Sequence, residues 1–193
     1  MAVLRSPELE YLEEGEEAVF SAASANPLNS NLEYHAFMAS WKQVFFLPDT
    51  KNIAYFFSLN AMSSSPLAYQ NRLGGFDSVR GFGLNRVIAL DTARANLEYR
   101  STLLKWKIPF FDIDRVILQS CAFLDAGYGW NVAQIDPVTG KNTQNESAIL
   151  YSAGAGLRAI FVHFANAIAR LDFARAIRPD EGFNISFGVG QFF

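Results

Sequence analysis

The stretch YSAGAGLRAIF, Tyr151 to Phe161, alternates in side-chain character. Tyr151, Ala153, Ala155, Leu157, Ala159 and Phe161 occupy one register, and Ser152, Gly154, Gly156, Arg158 and Ile160 the other. A period of two is that of a β-strand, whose successive side chains point to opposite faces. The pattern recurs. Val116, Leu118, Ala122, Leu124 and Ala126 alternate with Gln119, Cys121 and Asp125. Thr92, Arg94, Asn96, Glu98 and Arg100 alternate with Ala93, Ala95, Leu97 and Tyr99. Ile53 to Ala61 and Phe183 to Phe193 repeat it, and in the segment 164–176 Arg170 and Asp172 stand opposite Leu171 and Phe173. In these six windows the charges are assigned to the polar faces.

Each window is about ten residues long, which is what a tilted strand needs to cross a bilayer. Two further strands are expected at 18–25 and 31–45, for a total of about eight, an even number as in single-chain outer-membrane barrels. Leu47-Pro48-Asp49-Thr50-Lys51 and Arg178-Pro179-Asp180-Glu181-Gly182 have the residues of tight turns. Ser63 to Leu84 and Asn131 to Ser147 are expected as long polar loops. Short turns at one end and long loops at the other suit an outer-membrane barrel. Residues 1–16 are assigned to an acidic N-terminal leader, with six Glu between Pro7 and Glu17, and residues 17–193 to a single barrel domain.

Composition narrows the classes. The chain has 193 residues, 50% apolar and only 18% charged, too hydrophobic for a disordered segment. A net charge of −3 argues against a nucleic-acid partner, which calls for a basic face. The single cysteine, Cys121, excludes a disulfide scaffold, and His35 and His163 have no ligand spacing. No nucleophile–base pair stands out, so neither enzyme chemistry nor a cofactor is expected. Asp112 and Asp114 are assigned a turn or loop role. No basic stretch followed by an apolar one opens the chain, so no signal peptide is expected. The longest uncharged run, Asn52 to Asn71, is broken by Asn60, Ser63, Ser64, Ser65 and Pro66, so membrane crossing would be by strands.

Period two also fits a soluble ligand barrel, which keeps its apolar face inside and a Lys- and Glu-rich face outside. Here the polar face is Asn, Ser, Gly, Thr and Arg with few acids, and Tyr and Phe recur near strand ends. That favours an antiparallel transmembrane β-barrel with lipid on the apolar face and a polar lumen. Trp41, Trp106, Trp130 and Tyr128 are expected near strand ends as interface anchors.

The segment Leu73 to Arg86 reads LGGFDSVRGFGLNR. Its Val79-Arg80-Gly81-Phe82 resembles the V-R-G-F/Y motif of the outer-membrane assembly-barrel superfamily, also called the bacterial surface antigen family. Asn96-Leu97-Glu98-Tyr99-Arg100, the F-x-x-D-x-G of Phe123 to Gly127, the G-x-G-x-R of Gly154 to Arg158 and the R-x-D-x-A of Arg170 to Ala174 follow in the family's order. The resemblance covers about Leu73 to Phe193, the C-terminal half of a family barrel.

That resemblance implies a long loop carrying Val79, Arg80, Gly81 and Phe82, folded into the lumen. Arg80 sits on a glycine-rich segment and Asp125 on an inward face. A planar guanidinium matches a carboxylate, so Asp125 is the predicted partner that pins the loop. Glu98, Arg158, Arg170 and Asp172 are further inward charges. A plainer reading has these charges pairing for solvation alone. Phe187, Val189 and Phe193 resemble the family's C-terminal assembly signal, with Gln191 departing from the alternation. The resemblance further implies the bacterial outer membrane, its lipid bilayer and assembly machinery as partners, and a polypeptide client. The leading expectation is insertion or transport of polypeptides. The alternative is a short barrel with a structural or passive role, possible as a homodimer. A fragment of a longer barrel, a short barrel closing alone and two copies sharing their edges all fit the sequence.

Overall fold

The computed structural model describes residues 15–25, 34–63, 66–108, 113–135, 142–161 and 167–190. They form one antiparallel sheet of nine strands: β1 (Gly15–Ala25), β2 (Tyr34–Leu47), β3 (Lys51–Met62), β4 (Asn71–Leu73), β5 (Val87–Ile108), β6 (Ile113–Ile135), β7 (Asn142–Phe161), β8 (Ala167–Arg178) and β9 (Gly182–Val189). Eight of them follow one another as a meander, β1-β2-β3-β5-β6-β7-β8-β9, and the three-residue β4 pairs with β5. The chain is all-β, as the alternation predicts. The β2–β3 turn places Asp49 and Thr50 at φ 64° and 59°. Leu47 pairs with Lys51, so the connection is a three-residue hairpin loop, Pro48 to Thr50.

The described surface is inverted relative to that of a water-soluble protein. Along β8, Ile168, Arg170, Asp172, Ala174 and Ala176 are buried, while Phe173, Arg175 and Ile177 are exposed. Along β5, Thr92, Asn96, Glu98 and Arg100 are buried and Leu97 and Tyr99 exposed. Among the described residues the largest fully buried side chains are two arginines, Arg80 and Arg158. An apolar outer surface and a polar, paired interior are what hydrocarbon surroundings select. Among the described residues no helix is long and apolar enough to cross a membrane.

The sheet curls until its inner face meets itself. Phe46 on β2 packs against Ile117, Ile160 and Ile168 on β6, β7 and β8, near the end that carries the β2–β3 turn. At the opposite end a second apolar cluster joins Leu73, Val79 and Phe82 of the segment between β3 and β5 to Val87, Ala89, Leu150 and Ala176 of the wall. The margins β1 and β9 are not hydrogen-bonded to each other among the described residues.

Several details differ from the sequence expectation. Asn131–Ile135 and Asn142–Ser147 belong to β6 and β7, not to a loop. The ladder continues through Val132–Glu146, Ala133–Gln144 and Gln134–Thr143 across two register shifts. Backbone pairing needs no apolar alternation, so the strands outrun the pattern. Asp114 also lies within β6, while Asp112 is outside the described residues. Trp41 stands in the middle of β2, opposite Ala18 and Phe57, and its Nε1 donates to Glu16 at 2.8 Å. Charge is not confined to the inner face, since Arg175 lies on the outer one. Of the acidic leader, only Gly15 and Glu16 are described, and they open β1.

Candidate functional site

The segment 63–86 connects β3 to β5 and turns back into the curl of the sheet. A short 3-10 turn at Leu67–Tyr69 and the pairing of β4 with β5 anchor its first half. Its second half carries Val79-Arg80-Gly81-Phe82. Gly81 has φ 92° and lies against the β8 backbone, where a Cβ would stand 3.1 Å from the Ala176 nitrogen and 3.2 Å from the Arg175 carbonyl carbon. Both the positive φ and the close approach require glycine. Val79 seats over Gly127, where an added Cβ would meet Val79 Cγ2 at 2.8 Å.

Arg80, between them, is 0% exposed. Its Nε donates to Asp125 Oδ2 at 2.8 Å and its Nη2 to Asp125 Oδ1 at 2.8 Å, a two-point fork. The Arg80 backbone N–H adds a third bond to Asp125 Oδ2 at 3.1 Å. Its Nη1 donates to Glu98 Oε1 at 2.5 Å, and its guanidinium lies over the Phe123 ring at 3.4 Å. An arginine taken from water needs this degree of compensation, because a buried charge left unpaired is strongly destabilising.

Glu98 ties the cluster together. Its Oε1 accepts from both Arg80 and Arg158, the latter at 2.8 Å, and its Oε2 accepts from Arg100 Nε at 2.7 Å. Asp172 is held at ion-pair distance from Arg80 and from Arg170, 3.9 Å in each case. Arg170 turns to the loop and donates to the Phe76 carbonyl at 2.5 Å. Asn96 bridges, donating to the Ser78 carbonyl and to Asp125 Oδ1, each at 2.9 Å. Arg94 donates to the Asp77 carbonyl at 2.7 Å. The buried set is four arginines (80, 100, 158 and 170) against three carboxylates (Glu98, Asp125 and Asp172).

The structure thus brings together Arg80, Asp125, Glu98 and Arg158 directly, with Arg170 and Asp172 beside them. Sequence reasoning did not give Asn96, Phe123 and Arg100 of the wall, or Phe76 of the loop, a part in the cluster. Asn96 and Arg100 share the inward register of Glu98, a signal open to a reader of the alternation. Phe123 opens the F-x-x-D-x-G motif, but the motif does not say that its ring lies under a guanidinium. Gly154 and Gly156 make room for the cluster: a Cβ on Gly156 would lie 2.2 Å from Asp172 Oδ1, and one on Gly154 2.4 Å from the Phe123 ring. Cys121 is buried beside Phe123 and Ala174, its Sγ 3.9 Å from Asp172 Oδ1. Phe187 and Val189 project from the outer face of β9, 71% and 75% exposed, and Phe193 lies outside the described residues.

A meander of eight strands with a returning V-R-G-F loop invites comparison with known families. The family model of the Omp85 superfamily domain matches residues 18–193. The chain belongs to the Omp85 superfamily. No curated protein matches it significantly. The matched region begins within β1 and runs through every later strand, so the seat of the loop lies wholly inside the Omp85 domain. Omp85 proteins are proteins of the outer membrane, which agrees with a sheet whose apolar face is turned outward.

Proposed function

We propose that this Omp85 chain assists insertion or transport of polypeptides at the outer membrane, and that it acts at a sheet margin rather than through its interior. One observation carries the choice of place. The interior of the described sheet is occupied by the Arg80 loop at one end and by Phe46, Ile117, Ile160 and Ile168 at the other. The margins β1 and β9, whose outer edges pair with no strand among the described residues, instead offer backbone groups that are the natural template for an incoming strand. β9 presents Phe183, Ile185, Phe187 and Val189 on its outer face, so an added strand with the same alternation would continue the apolar belt. No catalytic chemistry is involved. The pinned loop would keep the inner wall rigid while the margin exchanges partners.

The second reading is a barrel with a structural or passive role, alone or as two copies joined at their margins, and the filled interior suits it equally. Liposomes containing the purified protein, challenged with a urea-unfolded small outer-membrane barrel, separate the two. Active insertion speeds folding of the client over empty liposomes and gives a disulfide cross-link between the client's last strand and a Val189→Cys variant. A rate equal to that of empty liposomes, with no cross-link, leaves the passive reading.

A further inference from the structure

We infer that Arg175 and Arg178, at the end of β8 and on its outer face, form a binding site for the phosphate of an anionic lipid headgroup. The inference rests on lipid meeting the outer face and does not depend on polypeptide handling. Arg175 follows the exposed register of Phe173 and faces outward between Ala153 on β7 and Phe183 on β9. Arg178 is three positions further on, which in a regular strand would turn it to the opposite face. The β7–β8 ladder breaks register here. Ser152 pairs with Ala176 and Tyr151 with Arg178, so Ile177 and Arg178 together oppose the single residue Tyr151. Such a bulge re-aims a side chain, and this one brings Arg178 beside the outward, 41% exposed Tyr151.

Arg175, Arg178 and Tyr151 therefore share a surface otherwise made of Phe173, Ile177, Phe183 and Ile185. Arginine on a lipid face is costly at the bilayer midplane and tolerated at the headgroup level. Tyrosine is likewise enriched at that level. The site lies at the membrane end that holds the inserted loop, because Arg86 of that segment is paired at 2.6 Å with Glu181 of the β8–β9 turn. That pairing occupies Glu181. Asp180 remains, 3.5 Å from Arg175, with both side chains more than half exposed. Two cations thus face one loosely held carboxylate, a balance that favours an incoming phosphate. Phe183, whose ring centroid is 5.4 Å from the Arg175 guanidinium, supports the arginine from the β9 side.

Native mass spectrometry of the full chain in detergent tests this, with phosphatidic acid as the phosphate-bearing lipid, phosphatidylcholine as the neutral control and inorganic phosphate as competitor. Phosphatidic acid is retained over phosphatidylcholine, and Arg175→Gln and Arg178→Gln each lower that preference about fivefold, the loss expected for one basic residue at an anionic surface. Arg72→Gln, remote from the site, leaves it unchanged. Asp180→Asn raises retention by freeing Arg175. Equal retention of the two lipids overturns the inference, as does a folded double Gln variant that binds like the parent. Displacement of the lipid by millimolar inorganic phosphate overturns the headgroup as the source of the anion. An Asp180→Asn variant with unchanged retention overturns the assigned balance of charges.

Discussion

Strands β5 to β8 and the margin strands β1 and β9 share a residue vocabulary and one sheet, yet they differ in what their inner faces touch. The central strands press Asn96, Glu98, Asp125, Arg158 and Asp172 against a returning loop, and all five are buried. β1 is exposed along Gly15 to Ser24 on both faces, and β9 leaves Phe183 78% exposed. Strand length follows that division only for β5, β6 and β7, which have 22, 23 and 20 residues; β8, with 12, is barely longer than β1 with 11, and β9 has 8. The difference teaches that alternation alone makes a strand, whereas a filled interior makes a wall. The loop is what converts four strands of this sheet into a packed structure.

That contrast breaks most readily at Asp125. Asp125→Ala removes both carboxylate oxygens of the Arg80 fork and leaves a buried cation compensated by Glu98 and, at 3.9 Å, by Asp172. The expected loss is about 3–5 kcal/mol, read as a lower urea midpoint in detergent, together with new protease cleavage within 63–86. A variant with the parent's midpoint and an uncut loop would show that the wall does not depend on the pin. Next in size is Gly156→Ala, whose methyl would press on Asp172 Oδ1 and on the Leu171 carbonyl oxygen, 2.2 and 2.8 Å from the built Cβ. Overpacking of this kind costs about 1–3 kcal/mol, and the same unfolding measurement reports it.

Ile160→Val probes the apolar plug at the other end. Loss of one methylene from a fully buried side chain is expected to lower stability by about 0.5–1.5 kcal/mol without releasing the loop. An Ile160→Val protein that exposes 63–86 to protease would mean that the two ends are coupled. Smallest is Phe20→Ser on β1, where Phe20 is 74% exposed. In detergent it should change stability by no more than about 0.5 kcal/mol. A larger loss would show that the margin is packed after all and would erase the contrast with the wall.

Much of this was legible in the sequence, because facing needs only a period of two. Glu98, Asp125, Arg158 and Asp172 line up on one side by parity within their strands, and no three-dimensional information is required for that. Partnership is another matter. Glu98 meets Arg158 across β6, through the curl of the sheet, and no spacing along the chain encodes that curl. The strand ends were hidden for the opposite reason: beyond the bilayer neither face has an enforced polarity, so Asn131–Ile135 and Asn142–Ser147 pair without a pattern. Arg178, assigned to a turn, is instead the last residue of β8, and the one-residue bulge that sets its face leaves no mark in composition.

The seat of Arg80 also has a consequence for the order of events during folding. Its contacts come from β5, β6 and β8, and Gly81 rests on β8 itself, nearly a hundred positions further along the chain. Contacts of such long sequence separation carry the largest closure entropy and form late. The arginine therefore has nowhere to dock until the downstream hairpins are zipped, and its insertion would mark the moment at which a nascent sheet has matured into a finished one.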